Sequence, residues 1–168
     1  AGVYESGKTW KWTYTKNITL YAQWSANTYS VKFDANGGSG TMANQPFTYD
    51  TTQNLTKNSF TYTGHNFKEW TTNKDGTGTS YKDEQSVKNL TTTNGGTVNL
   101  YAKWVANTYT IKLDSNGGTG TMADIPATYD KNITLPKSIF RKDEYTFIGW
   151  STTKDGDVKY KDGATVKT

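Results

Sequence analysis

The chain contains no cysteine and a single histidine, His65. Without cysteine it can form no disulfide scaffold, thiolate zinc site or thiol nucleophile. One histidine cannot build a multi-histidine metal site. No apolar run approaches the ~20 residues of a membrane-spanning helix, and no charged start precedes an apolar stretch. We therefore expect no membrane insertion by these residues and no signal peptide within them, and we interpret the chain as a piece of a longer protein.

Hydrophobic residues are scarce, but aromatic rings are not. Only 33% of residues are hydrophobic, yet 14% are aromatic. Each large ring can bury roughly 150–250 Å², so a few of them can build a small core. Tyr, Trp and Thr favour pleated strands, whereas Gly, Asn and Asp favour turns. This composition predicts a β-rich protein with small aromatic cores.

The sequence repeats itself with an offset of 80 residues. Residues 27–43 read NTYSVKFDANGGSGTMA, and residues 107–123 read NTYTIKLDSNGGTGTMA. Residues 17–24, NITLYAQW, also match residues 97–104, TVNLYAKW. Self-similarity at a fixed period indicates repeated structural units.

The repeat divides the chain into three parts. We expect residues 1–24 to be the end of a preceding repeat, 25–104 a complete repeat, and 105–168 a repeat that stops before its last strand. An incomplete β unit exposes an unpaired strand edge. Either the same chain completes this edge, or residues 1–24 of one molecule pair with 105–168 of the next in a head-to-tail contact.

Alternation and turn residues predict the elements of the complete repeat. Tyr29, Val31 and Phe33 alternate with polar residues, which is typical of a strand with one apolar face. The glycines after Asn36 predict a tight turn. Further strands are expected near 46–50, in a hairpin of 67–70 with 80–82, and over 98–104, and the segment 55–60 is a candidate for a short helix. Linkers of about three residues, 25–27 and 105–107, predict semi-rigid joints between neighbouring repeats.

The order of these motifs resembles the Listeria–Bacteroides repeat, also called the internalin B-repeat. The matching segments are Asp34–Gly38, Tyr49–Leu55, His65–Trp70 and Leu100–Trp104. The resemblance implies a β-rich α+β class: small β-grasp-like, ubiquitin-like repeats in tandem, mostly strand with at most short helices. It also implies a secreted bacterial surface protein, often attached to the cell wall, in which the repeats act as a stalk or support adhesion.

Three pairs of aspartates at matching positions are the candidate acid–base groups for paired-carboxylate chemistry: Asp34 and Asp114, Asp50 and Asp130, and Asp75 and Asp155. The last pair lies in Lys-Asp-Gly turns, where aspartate favours local backbone bonding. The first pair precedes Asn-Gly-Gly and is expected to cap that turn. We therefore predict that the chain is not an enzyme, with no catalytic residue and no cofactor.

The same loop invites two ligand hypotheses. Asp34-Ala35-Asn36 begins like a calcium loop, but an EF-hand needs glycine at position six and glutamate at position twelve. Ser39 and Gln45 stand there, which excludes an EF-hand and leaves a looser carbonyl site open. No Gly-Lys-Ser/Thr and no helix pattern follow the glycines, so a turn is favoured over a phosphate loop.

The tryptophans have two interpretations, as core residues or as sugar-binding platforms. Trp70 and Trp150 share one repeat position, and Trp24 and Trp104 share another. Occurrence in each copy favours the core, with an exposed aromatic site as the alternative.

Trp10 and Trp12 are in phase on one predicted strand face. His65 becomes Tyr145 in the next copy, so histidine chemistry would exist in only one repeat. A solvated or packing role is expected for His65.

The charges point to no nucleic-acid partner, because the lysines are scattered among acids rather than clustered in a stripe. The net charge of +4 is compatible with weak, salt-sensitive contact to anionic wall polymers or sulfated glycans. A Lys-to-Asn or Lys-to-Asp cross-link is a further option, which requires a buried lysine.

Two functions from different classes remain. We expect a non-catalytic extracellular stalk or spacer whose neighbours are adjacent repeats. The alternative is a binding module that recognises a host protein or glycan through exposed aromatics, loops and lysines. A contiguous exposed aromatic or basic patch would favour binding.

Overall fold

A computed structural model of the chain describes residues 7–9, 11 and 13–167. Every regular element in these residues is a β-strand, which confirms the β-rich prediction. The strands are β1 (Thr28–Asp34), β2 (Gln45–Thr48), β3 (Gln53–Asn54), β4 (His65–Thr71), β5 (Ser80–Tyr81), β6 (Ser86–Val87), β7 (Gly96–Ala106), β8 (Thr108–Ile111), β9 (Ile125–Thr128), β10 (Asn132–Thr134) and β11 (Thr165–Lys167).

One five-stranded sheet organises residues 28–106, with the strand order β2-β1-β7-β4-β5. Its centre is a parallel pair, in which Tyr29 of β1 lies opposite Gly96 of β7 and Asp34 lies opposite Tyr101. β2 pairs antiparallel with β1, β4 with β7, and β5 with β4. The predicted strand 28–34 and the predicted hairpin are confirmed.

The core lies on one face of this sheet. In β1 the buried residues alternate with more exposed ones, as the sequence pattern predicts. β3 and β6 form a separate two-stranded ladder with Gln53 opposite Val87. The buried cluster consists of Tyr29, Val31, Phe33, Phe47, Leu55, Phe60, Trp70, Val87, Leu100 and Ala102.

Trp70 is the largest fully buried side chain. Its ring lies 4.9 Å from Phe67 and 6.1 Å from Phe60, measured between ring centroids. In the next copy Trp150 lies 4.9 Å from Phe147 and 6.0 Å from Phe140. Tilted and edge-on contacts at such distances suit the ring quadrupoles. Two of the ring contacts of the tryptophan are therefore the same in both copies, whereas the third ring on Trp70, Phe33 at 4.8 Å, is replaced by Leu113 in the next copy.

The expectation of a short helix over residues 55–60 is wrong. The backbone N–H of Leu55 donates to Gln85 O (3.0 Å), and that of Asn58 donates to the Asp83 carboxylate (2.8 Å). The N–H of Phe60 donates to the Asn58 side chain. These donors bond to other segments or to a local side chain, so a helical ladder of i to i−4 bonds does not form.

The strand predicted over residues 98–104 is longer than expected, and the linker predicted over 105–107 is shorter. β7 continues through Val105 and Ala106, which pair with Asn66 and His65 of β4. Asn107 alone separates β7 from β8.

Residues 108–167 repeat part of this architecture. β8 and β9 match β1 and β2, and β10 and β11 match β3 and β6. The counterpart of β4 forms only isolated bridges, at Tyr145 and Trp150. A strand requires a hydrogen-bonded neighbour, and this segment lacks a counterpart of β7 among the described residues.

The described residues before Thr28 form no strand. Leu20 is 66% exposed and Trp24 is 91% exposed. Completion of the open edge within the chain is therefore not observed in the described residues. The core assignment of Trp24 is wrong for this structure, because no described residue covers its ring. Trp10 and Trp12 lie outside the described residues.

We predict that Leu100→Ala lowers the free energy of unfolding by about 2–5 kcal/mol, the usual cost of truncating a fully buried leucine. Leu20→Ala is the matched control, since Leu20 has the same repeat position but is exposed. Its expected cost is within ~0.5 kcal/mol. Urea unfolding of dilute protein, at a concentration where the chain is a monomer, measures both free energies when it is followed by circular dichroism. Equal losses in the two variants would show that Leu20 is packed and would contradict the described structure.

Candidate functional site

The aspartates that precede the glycine turns cap them. The Asp34 carboxylate accepts the backbone N–H of Asn36 at 2.8 Å, and Asp114 accepts that of Asn116 at 2.7 Å. The Asn36 amide in turn donates to the carbonyls of Lys74 and Ala102. The capping prediction is confirmed, and the Asx side chains of this loop are engaged in holding the turn against β7.

Asp50 and Asp130 are also tied to local partners. Asp50 accepts from the Asn89 amide at 2.9 Å and lies 3.3 Å from Lys88 Nζ. These hydrogen bonds, with that of Asn89 the larger contribution, lower the pKa of Asp50. In the next copy Asp130 lies 3.3 Å from Lys167, so the ion pair is repeated.

Asp75 lies in its predicted turn. It accepts the hydroxyl and the backbone N–H of Thr77, at 2.6 and 3.0 Å. The hydroxyl bond is the main reason that the pKa of Asp75 is lowered. A lowered pKa is the opposite of what a general acid at neutral pH requires.

The Gly37–Gly38 turn packs closely against Trp104. A Cβ on Gly38 would lie 2.8 Å from the indole ring and 2.7 Å from the Thr61 carbonyl. The indole N–H donates to Ala35 O at 2.8 Å. The glycine is thus needed for close packing of the turn on Trp104. This supports the turn interpretation over a phosphate loop.

His65 has a packing role. Its ring stacks on Tyr62 at 4.2 Å and meets the edge of Tyr129, from the following copy, at 5.7 Å. Its Nδ1 lies 2.9 Å from Thr63 O. Of the two roles expected for His65 from the sequence, solvated or packing, the structure shows the packing role.

Buried polar chemistry is sparse in the part of the chain that the structure describes. There Thr71 is the one buried polar or charged residue. The same part holds no group of three or more His, Asp or Glu side chains placed to bind a metal ion. It also holds no buried lysine of the kind that a Lys-to-Asn cross-link requires. Its elements include no helix that is long and apolar enough to cross a membrane.

The large apolar side chains that are exposed lie outside residues 25–104. Two occupy positions that are buried in that repeat: Tyr109 is 43% exposed and Leu20 66%, whereas their counterparts Tyr29 and Leu100 are 4% and 0% exposed. The described members of this set are Tyr14, Ile18, Leu20, Tyr21, Trp24, Val105, Tyr109, Ile139, Tyr145, Phe147, Ile148 and Val158.

Sequence reasoning predicted a semi-rigid joint between the repeats but missed the contacts that fix it. The Tyr129 ring packs on the backbone of Gly64 so closely that a Cβ there would overlap the ring. The N–H of Asn107 donates to Gly64 O at 2.8 Å, and the N–H of Tyr129 donates to Asn107 O at 2.9 Å. The joint is therefore fixed by packing and by backbone hydrogen bonds.

A sequence difference between the two copies indicates this close contact. Gly64 has φ +70°, and its counterpart Glu144 has φ 62°, so the turn itself does not require glycine. The packed Tyr129 ring does. A glycine in one copy where the other has glutamate therefore marks a place where a neighbouring unit approaches the backbone.

We predict that Gly64→Ala opens this joint. The matched control is Gly95→Ala, because Gly95 has φ +72° but open space around its Cβ position. The free energy of unfolding of both variants should fall by about 1–2 kcal/mol, because alanine is strained in the left-handed backbone conformation. Only Gly64→Ala should speed hydrogen exchange of the Tyr129 amide and shift the His65 ring signals. Similar exchange of that amide in both variants would mean that the joint is not packed as described.

Comparison with known proteins agrees with this architecture. A family model described as the Listeria-Bacteroides repeat domain matches residues 29–103 and again residues 109–168. A "Putative Gly-rich membrane protein" from Evansella cellulosilytica is 34% identical over 140 residues, covering 79% of this chain and 15% of that protein. A "Putative membrane protein" from the same organism is 33% identical over 150 residues, covering 82% and 19%.

The chain thus spans less than a fifth of the length of these relatives. No solved structure matches. The two family matches begin next to β1 and β8 and together cover most of the residues. The chain belongs to the Listeria-Bacteroides repeat family.

Proposed function

We propose that the chain is a non-catalytic spacer in an extracellular bacterial surface protein, and that its repeats set the distance between other parts of that protein. The observation that carries this proposal is the joint. β7 ends at Ala106 and β8 begins at Thr108, so one residue connects the units. That residue, Asn107, has both its N–H and its carbonyl bonded, to Gly64 and Tyr129.

The entry to residues 25–104 shares one backbone hydrogen bond with the exit. The N–H of Tyr49 donates to Asn27 O at 2.8 Å, as that of Tyr129 donates to Asn107 O. Each unit therefore presents the same backbone bond where it begins. When each joint is rigid, the length of the array increases with the number of repeats.

The fold supports a self-contained module. We propose that residues 25–104 are one β-grasp-like unit, with 1–24 and 105–168 as parts of its neighbours. A parallel central pair with antiparallel strands on both sides, and a segment 55–60 that contributes Leu55 and Phe60 to the core, fits this fold without its usual helix. The ion pair Lys88–Asp50 and its repeat Lys167–Asp130 fit the same boundaries.

A surface location fits the relatives, whose names describe membrane proteins. The absence of cysteine fits a module whose stability rests on aromatic packing. The non-catalytic role is supported by carboxylates that cap turns and pair with lysines or threonines.

The binding alternative has less support. The exposed aromatics belong to the partial units, and three of them, Trp24, Tyr109 and Phe147, correspond to residues that lie in the core of the complete unit or pack against it. A host protein or glycan would therefore meet no large exposed apolar side chain on residues 25–104.

The spacer proposal predicts a narrow distance distribution between spin labels on Thr92→Cys and Lys154→Cys, one in each unit. Both sites are exposed, and the chain offers no other cysteine. Inserting Gly-Gly between Ala106 and Asn107 should broaden the distribution, because it breaks the direct passage of β7 into β8. Electron–electron double resonance measures it.

The matched control inserts Gly-Gly between Ala123 and Asp124, which are exposed loop residues, and should leave the distribution narrow. A broad distribution before any insertion would contradict the spacer proposal. So would retention of the chain on a glycan array or a host-cell surface protein that is lost on Trp24→Ala, since that result would indicate a binding module.

We further propose a second copy of the chain as a partner in a head-to-tail contact. β1 has β2 and β7 as neighbours, whereas β8 has only β9 among the described strands. Residues 17–24 carry the β7 motif and lie exposed. If they paired with β8 as β7 pairs with β1, Ile18 would lie opposite Ile111, as Val98 lies opposite Val31.

This contact predicts a mass that rises with concentration in multi-angle light scattering. Leu20→Lys should abolish the rise, because it places a charge in the pairing segment. Ile139→Lys is the control, since Ile139 is 63% exposed and lies elsewhere. A monomer at all concentrations, or equal effects of the two variants, would rule out the contact.

A further inference from the structure

We propose that the parallel β1–β7 pair is a mechanical lock that resists pulling along the chain. This inference rests on the spacer proposal, since only a module under tension would use it. The starting observation is the path of the chain through the unit. The chain enters at Thr28, the start of β1, and leaves at Ala106, the end of β7.

Parallel pairing puts these two points at opposite ends of adjacent strands. Tyr29 lies opposite Gly96, and Asp34 lies opposite Tyr101. Tension applied at Thr28 and Ala106 therefore pulls the strands past each other along their length. The interstrand hydrogen bonds of a parallel pair are evenly spaced along the ladder. Sliding loads them together, whereas separation from one end breaks them one after another.

The lock is covered on its core side. Val31 of β1 and Leu100 of β7 are fully buried, and Phe33 lies directly opposite Leu100. β2 and β4 flank the pair, so neither β1 nor β7 is an edge strand. Flanking strands and apolar side chains keep water from replacing the hydrogen bonds while they are strained.

Tension reaches this pair without passing through a slack segment. Asn107 is the single residue between β7 and β8, and its backbone bonds tie it to Gly64 and Tyr129. The β2, β3, β5 and β6 strands lie outside the direct path between the loaded points. Rupture of the unit then requires β7 to slide against β1 and against its other neighbour, β4.

Single-molecule force spectroscopy on the full chain tests this inference, because an introduced cysteine pair defines the two pulling points. Ala26→Cys with Val105→Cys, both at exposed sites, loads β1 and β7 in shear. Ala26→Cys with Thr92→Cys pulls on the adjacent starts of the two strands, near the bond from Gly95 N–H to Thr28 O, and peels the pair open.

The shear geometry should rupture at about twice the force of the peeling geometry or more, at equal loading rate, because forced unfolding reports the barrier along the pulled direction. Thermal unfolding of both cysteine pairs without load should be the same, which shows that the substitutions do not cause the difference. Equal rupture forces, or a weaker shear geometry, would overturn the lock. That result would leave the spin-label distances unchanged, so it is distinguishable from failure of the spacer proposal.

Discussion

The parallel pairing of β1 with β7 is the constraint on which the rest of this structure depends. It joins the first and last strands of a unit, so the five-stranded sheet forms only when both ends of the repeat are present. β4 acquires its strand character from β7, and the core residues of β1 lie opposite those of β7. Residues 108–167 illustrate this dependence, because the short ladders and the aromatic centre form there while the counterpart of β4 does not become a strand.

Aromatic packing is the second support, and part of it is local in sequence. Trp70 contacts Phe33 of β1 at 4.8 Å, and its other two ring neighbours, Phe67 and Phe60, lie three and ten residues before it. The last two contacts need little loop closure, so they can form even where the long-range strand pair is missing. This explains why the Trp150 centre keeps these two contacts. A small unit with few aliphatic residues gains a defined core in this way.

The sequence predicted the features whose causes are local. Alternation at Tyr29, Val31 and Phe33 identified β1, and Asp34 before Asn-Gly-Gly identified the capped turn. The segment 55–60 was misjudged because distant groups, Gln85 and Asp83, hold its backbone. The packing at the joint was missed for the same reason: the contact between Gly64 and Tyr129 spans two units, and only the comparison of Gly64 with Glu144 points to it.

Gly64 and Glu144 also bear on the order in which the copies follow one another. A copy with glutamate at this turn has no room for a following tyrosine ring where Gly64 accepts Tyr129. Reordering the copies would therefore preserve each unit's fold while changing which junctions are tight. A single substitution in one turn then changes how rigidly two neighbouring units are joined, without altering the core of either unit.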